Sequence, residues 1–151
     1  METLREGEVR ALLEALDDEY QAWTTYGHVI ADFGEVRPFT NIHEAEARHI
    51  AALRTLFERY GVPVPENPWP GRVPRYPSLA EACAVGVAAE IANAALYDRL
   101  FAATQRPNIL ADFGNLREAS QARHLGALRH CALRGGIGGR SGRRHRGGRG
   151  P

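Results

Sequence analysis

Thr40-Asn41-Ile42-His43-Glu44-Ala45-Glu46-Ala47-Arg48-His49-Ile50-Ala51-Ala52-Leu53 sets a glutamate and a histidine three residues apart inside a run with helical apolar spacing. At that separation both side chains lie on one face, about one turn apart. The string Glu46-Ala47-Arg48-His49 has an echo far downstream, Gln121-Ala122-Arg123-His124. Upstream of each string stands a glutamate followed seven residues later by a tyrosine: Glu19 and Tyr26, then Glu90 and Tyr97. The connectors repeat as well, Ala31-Asp32-Phe33-Gly34 against Ala111-Asp112-Phe113-Gly114. The chain therefore reads as one unit written twice. The Asp-Phe-Gly strings are not kinase motifs, because nothing else of a kinase accompanies them.

Outward from these strings the pattern is helical nearly throughout. From Glu6 to Phe33, Leu12, Glu19, Tyr26 and Phe33 recur every seven residues, with Val9, Leu16, Trp23 and Ile30 on the complementary positions, a heptad seam. Gly34 and Pro38 break the chain, and Thr40 or Asn41 can cap a second helix reaching Tyr60, where Gly61 and Pro63 stop it. The segment from Gly61 to Pro77 is too rich in proline for a helix or a central strand and reads as an extended crossover, which lets helices two and three run parallel. Ser78 with Glu81 forms a capping box for a third helix to about Gln105. Pro107 opens a fourth to about Arg134, with Gly114 as the place for a kink. The expected fold is all-α: a ferritin-like four-helix bundle over residues 1–134 with one long proline-rich crossover between helices 2 and 3. Residues 135–151, rich in glycine and arginine, form a tail that cannot bury enough apolar surface to order itself.

Acids on the seams are the informative anomaly, since an unpaired carboxylate removed from water costs several kcal/mol on the usual scale, roughly. Glu19, Glu46 and Glu90 each align with apolar or aromatic residues seven positions away. A di-metal bundle asks for one glutamate on each of two helices and a Glu-x-x-His on each of the other two. Glu19 and Glu90 supply the first pair, Glu46 with His49 one motif, and Gln121 with His124 an altered copy of the other. Carboxylates mixed with imidazoles suit two iron ions, or mixed iron and manganese, better than zinc-thiolate or calcium chemistry. In this scheme Glu46 bridges the ions, Glu19 and Glu90 bind terminally, and each histidine takes one ion. Tyr26 and Tyr97 stand one heptad from the terminal glutamates as hydrogen-bond or proton donors, the candidate catalytic groups. Gln121 is a neutral, weaker ligand, and Asn93 on the third seam can tune the pocket or be a satisfied core amide.

The remaining residues carry plainer expectations. His28, His43, His130 and His145 lack seam partners and read as surface residues. Glu14, Asp18, Glu44 and Glu118 fall beside the seams, on solvated faces or paired to arginine. Leu16 and Trp23 read as ordinary core, and Trp69 as a pin for the crossover. Cys83 and Cys131, far apart and without CxxC spacing, read as buried unpaired thiols. The 151 residues and 44% hydrophobic content suit one domain. No run approaches the roughly 18 apolar residues of a membrane span, and the charged start is unlike a signal peptide, so a cytoplasmic protein is expected. A net charge of +1 conceals five arginines without an acid between Arg140 and Pro151, leaving the body acidic. That tail admits sequence-independent contact with nucleic acid, though it lacks interleaved aromatics for stacking.

Several strings together, Asp18-Glu19-Tyr20, Arg37-Pro38-Phe39, Ala45-Glu46-Ala47-Arg48-His49, Leu96-Tyr97-Asp98 after Glu90, and Ala119-Ser120-Gln121 before His124, resemble the ferritin-like proteins of bacteria and archaea grouped as domain of unknown function 2202, relatives of rubrerythrin. The likeness runs from about Leu4 to Leu133. It implies the bundle fold and a di-metal centre, and no particular reaction. Unlike rubrerythrin, the chain has no CxxC pairs, so an electron donor would be a separate protein. Features for iron storage in a cage are also missing. The expected function is an oxidoreductase acting on dioxygen or hydrogen peroxide, of peroxidase or ferroxidase type, with a homodimer as a compatible assembly. The competing expectations are a metal-free helical scaffold for protein contacts, or a bundle with a nucleic-acid-binding tail.

Overall fold

A computed structural model describes residues 2–134, whose regular elements are all helices, with no strand among them. The expected disorder and nucleic-acid contacts of the tail, and His145, lie outside the described residues. Helix α1 spans Glu6–Phe33, α2 Phe39–Arg59 and α3 Leu79–Leu100, the last continued by a 3-10 turn at Phe101–Ala103. A fourth run follows in three parts: α4 (Pro107–Glu118), a π-helical segment (Ala119–His124) and α5 (Leu125–Leu133).

Local chemistry explains the ends. At the start of α1, Glu8 Oε1 accepts the Arg5 backbone N–H at 2.9 Å, and Glu6 and Glu8 place acids against the positive end of the helix. Gly34 ends α1 at φ +93°, a backbone that only glycine adopts freely, and its N–H returns to Ile30 O at 2.8 Å. α2 closes in a Schellman motif: Gly61 at φ +68° lets Val62 N–H reach Phe57 O at 2.9 Å and Gly61 N–H reach Glu58 O at 3.3 Å. The start of α2 differs from expectation. Its cap position is Pro38, with no side-chain cap, because Phe39 is already helical and fully buried, so Thr40 and Asn41 lie inside the first turn. At α3, Ser78 Oγ accepts the Glu81 N–H at 3.1 Å, the serine half of the expected capping box. That helix stops at Leu100, short of Gln105, where the backbone tightens ahead of the extended Thr104. Gly114 sits in regular helix, and the irregularity of the fourth run falls instead at Ala119–His124.

The crossover lies along α1. Tyr20 donates to Pro65 O at 2.8 Å, Asn67 to Thr24 Oγ1 at 2.9 Å, Trp69 Nε1 to Asp17 Oδ1 at 3.1 Å, and Arg75 to Asp32 at 3.1 Å. The chain is thus carried back to the end of the molecule where α2 began, and α3 starts parallel to α2. Cross-contacts fix the other directions: Trp23 stacks on His43, Tyr26 reaches Glu90 and Tyr97 reaches Glu19, so α1 runs antiparallel to both α2 and α3.

Two apolar clusters fill the interior. One gathers Leu12, Leu16, Leu53, Phe57, Tyr97 and Phe113, the other Tyr26, Val29, Phe39, Ile42, Cys83 and Leu128. Cys83 and Cys131 are not free thiols. They form a disulfide across α3 and α5 with Cα atoms 5.9 Å apart, since antiparallel packing of two helices brings together residues 48 apart in sequence. The two helices approach closely there, and a Cβ added to Gly86 would meet Leu128 Cδ2 at 3.0 Å. By length and composition alone, one stretch among the described residues, Leu79–Ala103, is apolar enough to cross a membrane, which the sequence reading did not anticipate. It nevertheless turns Glu90 and Asn93 into the protein interior.

Candidate metal centre

Between the two apolar clusters lies a layer of acids and imidazoles. α1 contributes Glu19, α2 Glu46 and His49, α3 Glu90, and the π segment His124. The three glutamates and His124 are each less than 5% exposed, and His49 is half-buried. Two groups form, Glu19 with Glu46 and His49, and Glu46 with Glu90 and His124, each offering three ligand atoms within 4.8 Å of one another. Either group could hold a metal ion.

Glu46 belongs to both. Its Oε1 lies 3.3 Å from His49 Nδ1 and its Oε2 3.8 Å from His124 Nδ1. Glu19 Oε1 stands 3.2 Å from His49 Nδ1, Glu90 Oε1 3.4 Å from His124 Nδ1, and the two imidazole rings stack at 5.9 Å. The outer oxygens of the terminal acids are held by phenols: Tyr97 donates to Glu19 Oε2 at 2.7 Å and Tyr26 to Glu90 Oε2 at 2.8 Å. Each tyrosine belongs to a different apolar cluster, so the pair closes the polar layer from both sides. Burial, reinforced by the adjacent carboxylates, raises both phenols well above their ordinary value, and they remain donors.

Crowded acids cannot all ionise alike. Burial and the neighbouring Glu19 charge push Glu46 well above the usual carboxylate range. Burial also pushes Glu19 up, but hydrogen bonds from Glu46, His49 and Tyr97 outweigh it and hold Glu19 low. Of the two acids, Glu46 is the one that favours its protonated form. After these contacts, Glu90 Oε1 and His124 Nδ1 still have no hydrogen-bond partner. Buried polar atoms are seldom left so, and a cation between them would satisfy both.

Gln121 does not join the site. It is exposed, and Ser120 is buried in its stead. The reason is the π segment, whose wider turn of more than four residues aligns His124 with the residue four before it, not three. Ser120 Oγ donates to Asn93 Oδ1, and Asn93 Nδ2 donates to Asp18 Oδ2 and, at 3.3 Å, to Glu19 Oε2. Asn93 is thus a satisfied amide that ties three helical segments to the ligand layer. Asp18 is a further correction, because it is half-buried and bonded to Asn93, not on a fully solvated face. Burial raises its carboxyl to about 6 against the lowering hydrogen bond from Asn93, with the charges of Glu19 and Glu90 adding to the rise.

Asp18 and Ser120 are the residues missed from the sequence. Asp18 directly precedes a seam acid, which was its only signal, and Ser120 is found only by counting at the π period. Among the histidines taken for surface, His43 is half-buried against Trp23, their rings 5.0 Å apart, and burial lowers its pKa. His28 is also half-buried, and His130 is exposed as expected. Glu14 pairs with Arg99 at 3.1 Å, and Glu44 and Glu118 are exposed, also as expected.

No family profile matches the chain, and no curated protein matches it. Among solved structures, the crystal structure of a hypothetical protein from Methanococcus jannaschii DSM 2661 superposes with a TM-score of 0.77, covering 89% of this chain and 84% of that one at 23% sequence identity. At that identity the likeness is one of fold alone.

Proposed function

We propose that the chain is a ferritin-like di-metal protein, a four-helix bundle whose central layer binds two iron ions or an iron and a manganese, and that it acts as an oxidoreductase on dioxygen or hydrogen peroxide. The observation that carries this reading is Glu46, a buried acid with one oxygen turned to each histidine and a share in both ligand groups. Glu19 with His49, and Glu90 with His124, complete the two halves. The sequence resemblance to domain of unknown function 2202 and the one-crossover connectivity point the same way.

Charge supports it further. Three glutamates within one layer, with Asp18 behind them, are poorly matched to two imidazoles, whereas two divalent ions would balance four carboxylates. When bound, such ions supply a redox-active site that can pass electrons to an oxidant. The chain's own residues hold Glu19 and Glu90 in place through Tyr97 and Tyr26, keep bulk water out with the two apolar clusters, and provide phenol protons beside the ligands. A metal-free scaffold accounts for most hydrogen bonds in the layer but leaves Glu90 Oε1 and His124 Nδ1 orphaned.

Metal analysis of protein loaded with iron or manganese and then desalted tests the reading. Two ions per chain are expected, with Glu46→Ala and His49→Ala losing them. Wild-type content well under one ion would refute the centre and leave the scaffold.

A further inference from the structure

A cavity of about 300 Å³ opens between α1 and α3 beside the end of the crossover. Apolar side chains form its walls, among them Ala22, Val29, Pro74, Tyr76, Val85 and Ala89. Polar residues line it too: Gln21 and Thr25, and with them Asp18, Tyr26, Glu90 and Asn93. Tyr26, Glu90 and Asn93 are less than one-tenth exposed, so they form the cavity's inner end, and the same side chains hold or supply the ligand layer. Small residues of α3, Ala82 and Ala89, lie along this space.

We infer that this cavity binds a small neutral organic molecule, mostly apolar with one hydroxyl, its hydroxyl directed to the Asp18 and Glu90 carboxylates and its apolar body against the alanine, valine and proline walls. Apolar walls favour burial of hydrocarbon, and carboxylate oxygens favour a donor over an acceptor. In the metal-free chain an anion of the same shape is disfavoured, since it would bring another negative charge beside Asp18 and Glu90, the two acids that line the cavity. Substituted phenols fit this description in size and chemistry. That such a molecule is the substrate of the centre rests on the di-metal reading, whereas its binding does not.

The experiment uses the full chain, both metal-loaded and stripped with chelator. Three probes of one shape are titrated and followed by ligand-observed NMR: p-cresol, 4-methylbenzoate and toluene. The expected order is p-cresol first, with toluene and 4-methylbenzoate each weaker by about tenfold or more, as befits a loss of roughly one charge or hydrogen-bond contact. Ala89→Leu and, separately, Ala22→Leu should each weaken p-cresol by about tenfold through overfilling, with metal content and the circular dichroism spectrum unchanged. Equal binding of p-cresol and 4-methylbenzoate, or p-cresol binding undiminished in both folded variants, would overturn the site. Cresol binding by a chain that takes up no metal would uphold the cavity and sink the centre. Metal uptake without cresol binding would do the reverse.

Discussion

Replacing Gln121 by glutamate completes a second Glu-x-x-His string on paper, yet it should leave metal content unchanged, because position 121 faces solvent. Metal analysis of Gln121→Glu beside wild type checks this, and a gain in bound metal would show that the side chain turns inward. The sequence could not reveal the exclusion of Gln121, since the α and π periods predict different neighbours for His124 and nothing in Ala119-Ser120-Gln121 announces the wider turn. Asp18 was hidden for a related reason: its place beside the seam implies water, and only the hydrogen bond from Asn93 shows otherwise. The raised Asp18 carboxyl has a consequence for stability. Its pKa of about 6 exceeds the ordinary 3.8, so the folded state holds this proton more tightly than the unfolded state does. The ionised acid therefore destabilises the metal-free fold above about pH 6, and this cost disappears as pH falls toward 3.8. Asp18→Asn, stripped of metal, should be more stable than wild type at pH 7 by about 1–2 kcal/mol, with the gap closing near pH 4. Urea titrations at the two pH values measure it, and a gap independent of pH would place the effect elsewhere.

Elements were more legible than residues wherever a local rule fixed them. The heptad seam gave α1 its bounds, and Gly61 stopped α2 because a left-handed residue completes the Schellman bonds. Tertiary pairings had no such local mark. Glu8 is one case: buried at 2% exposure, it accepts from Thr104 Oγ1 at 2.6 Å, Arg106 Nε at 3.1 Å and the Arg5 N–H, clamping the start of α1 to the segment before α4. Burial alone would raise its carboxyl, but those donors hold it at about 2, below the ordinary 4.5. A depressed acid stabilises fully above its unfolded value, so this contribution should persist above pH 4.5 and be lost as pH falls toward 2. Glu8→Gln should cost about 1–3 kcal/mol at pH 7 and little near pH 2, read from chemical denaturation at each pH. The disulfide is the second case, invisible because residues 48 apart carry no sign of adjacency. Cutting it in Cys83→Ser should lower stability by about 3–4 kcal/mol on the loop-entropy scale. Wild type should lose a similar amount in strong reductant and the variant nothing more, whereas an equal response of both to reductant would argue against the bond.

At the scale of the whole molecule, the doubled pattern of Glu19, Tyr26, Glu46 and His49 against Glu90, Tyr97 and His124 foretold a central layer, because seam acids on separate helices can avoid bare burial only by meeting one another. It could not foretell that the second half would depart from the first, with a π turn and Ser120 in the place of a second Glu-x-x-His face. If the layer holds cations as proposed, it is costly without them and favourable with them, and metal binding and folding should be coupled. Occupancy at a thousandfold excess over the dissociation constant adds about 4 kcal/mol, and for a chain of this size that raises Tm by roughly ten degrees or more over protein in chelator. Glu46→Gln separates this coupling from ordinary packing. Burial and the Glu19 charge favour the protonated form of Glu46 in the metal-free chain, so a neutral amide of nearly the same shape should leave the metal-free Tm almost unchanged. The amide cannot serve as an anionic bridge between the two histidines, and the increment on adding iron or manganese should vanish. A variant that keeps the increment would show that the ions bind without Glu46, and one that loses stability even in chelator would show that Glu46 acts by packing.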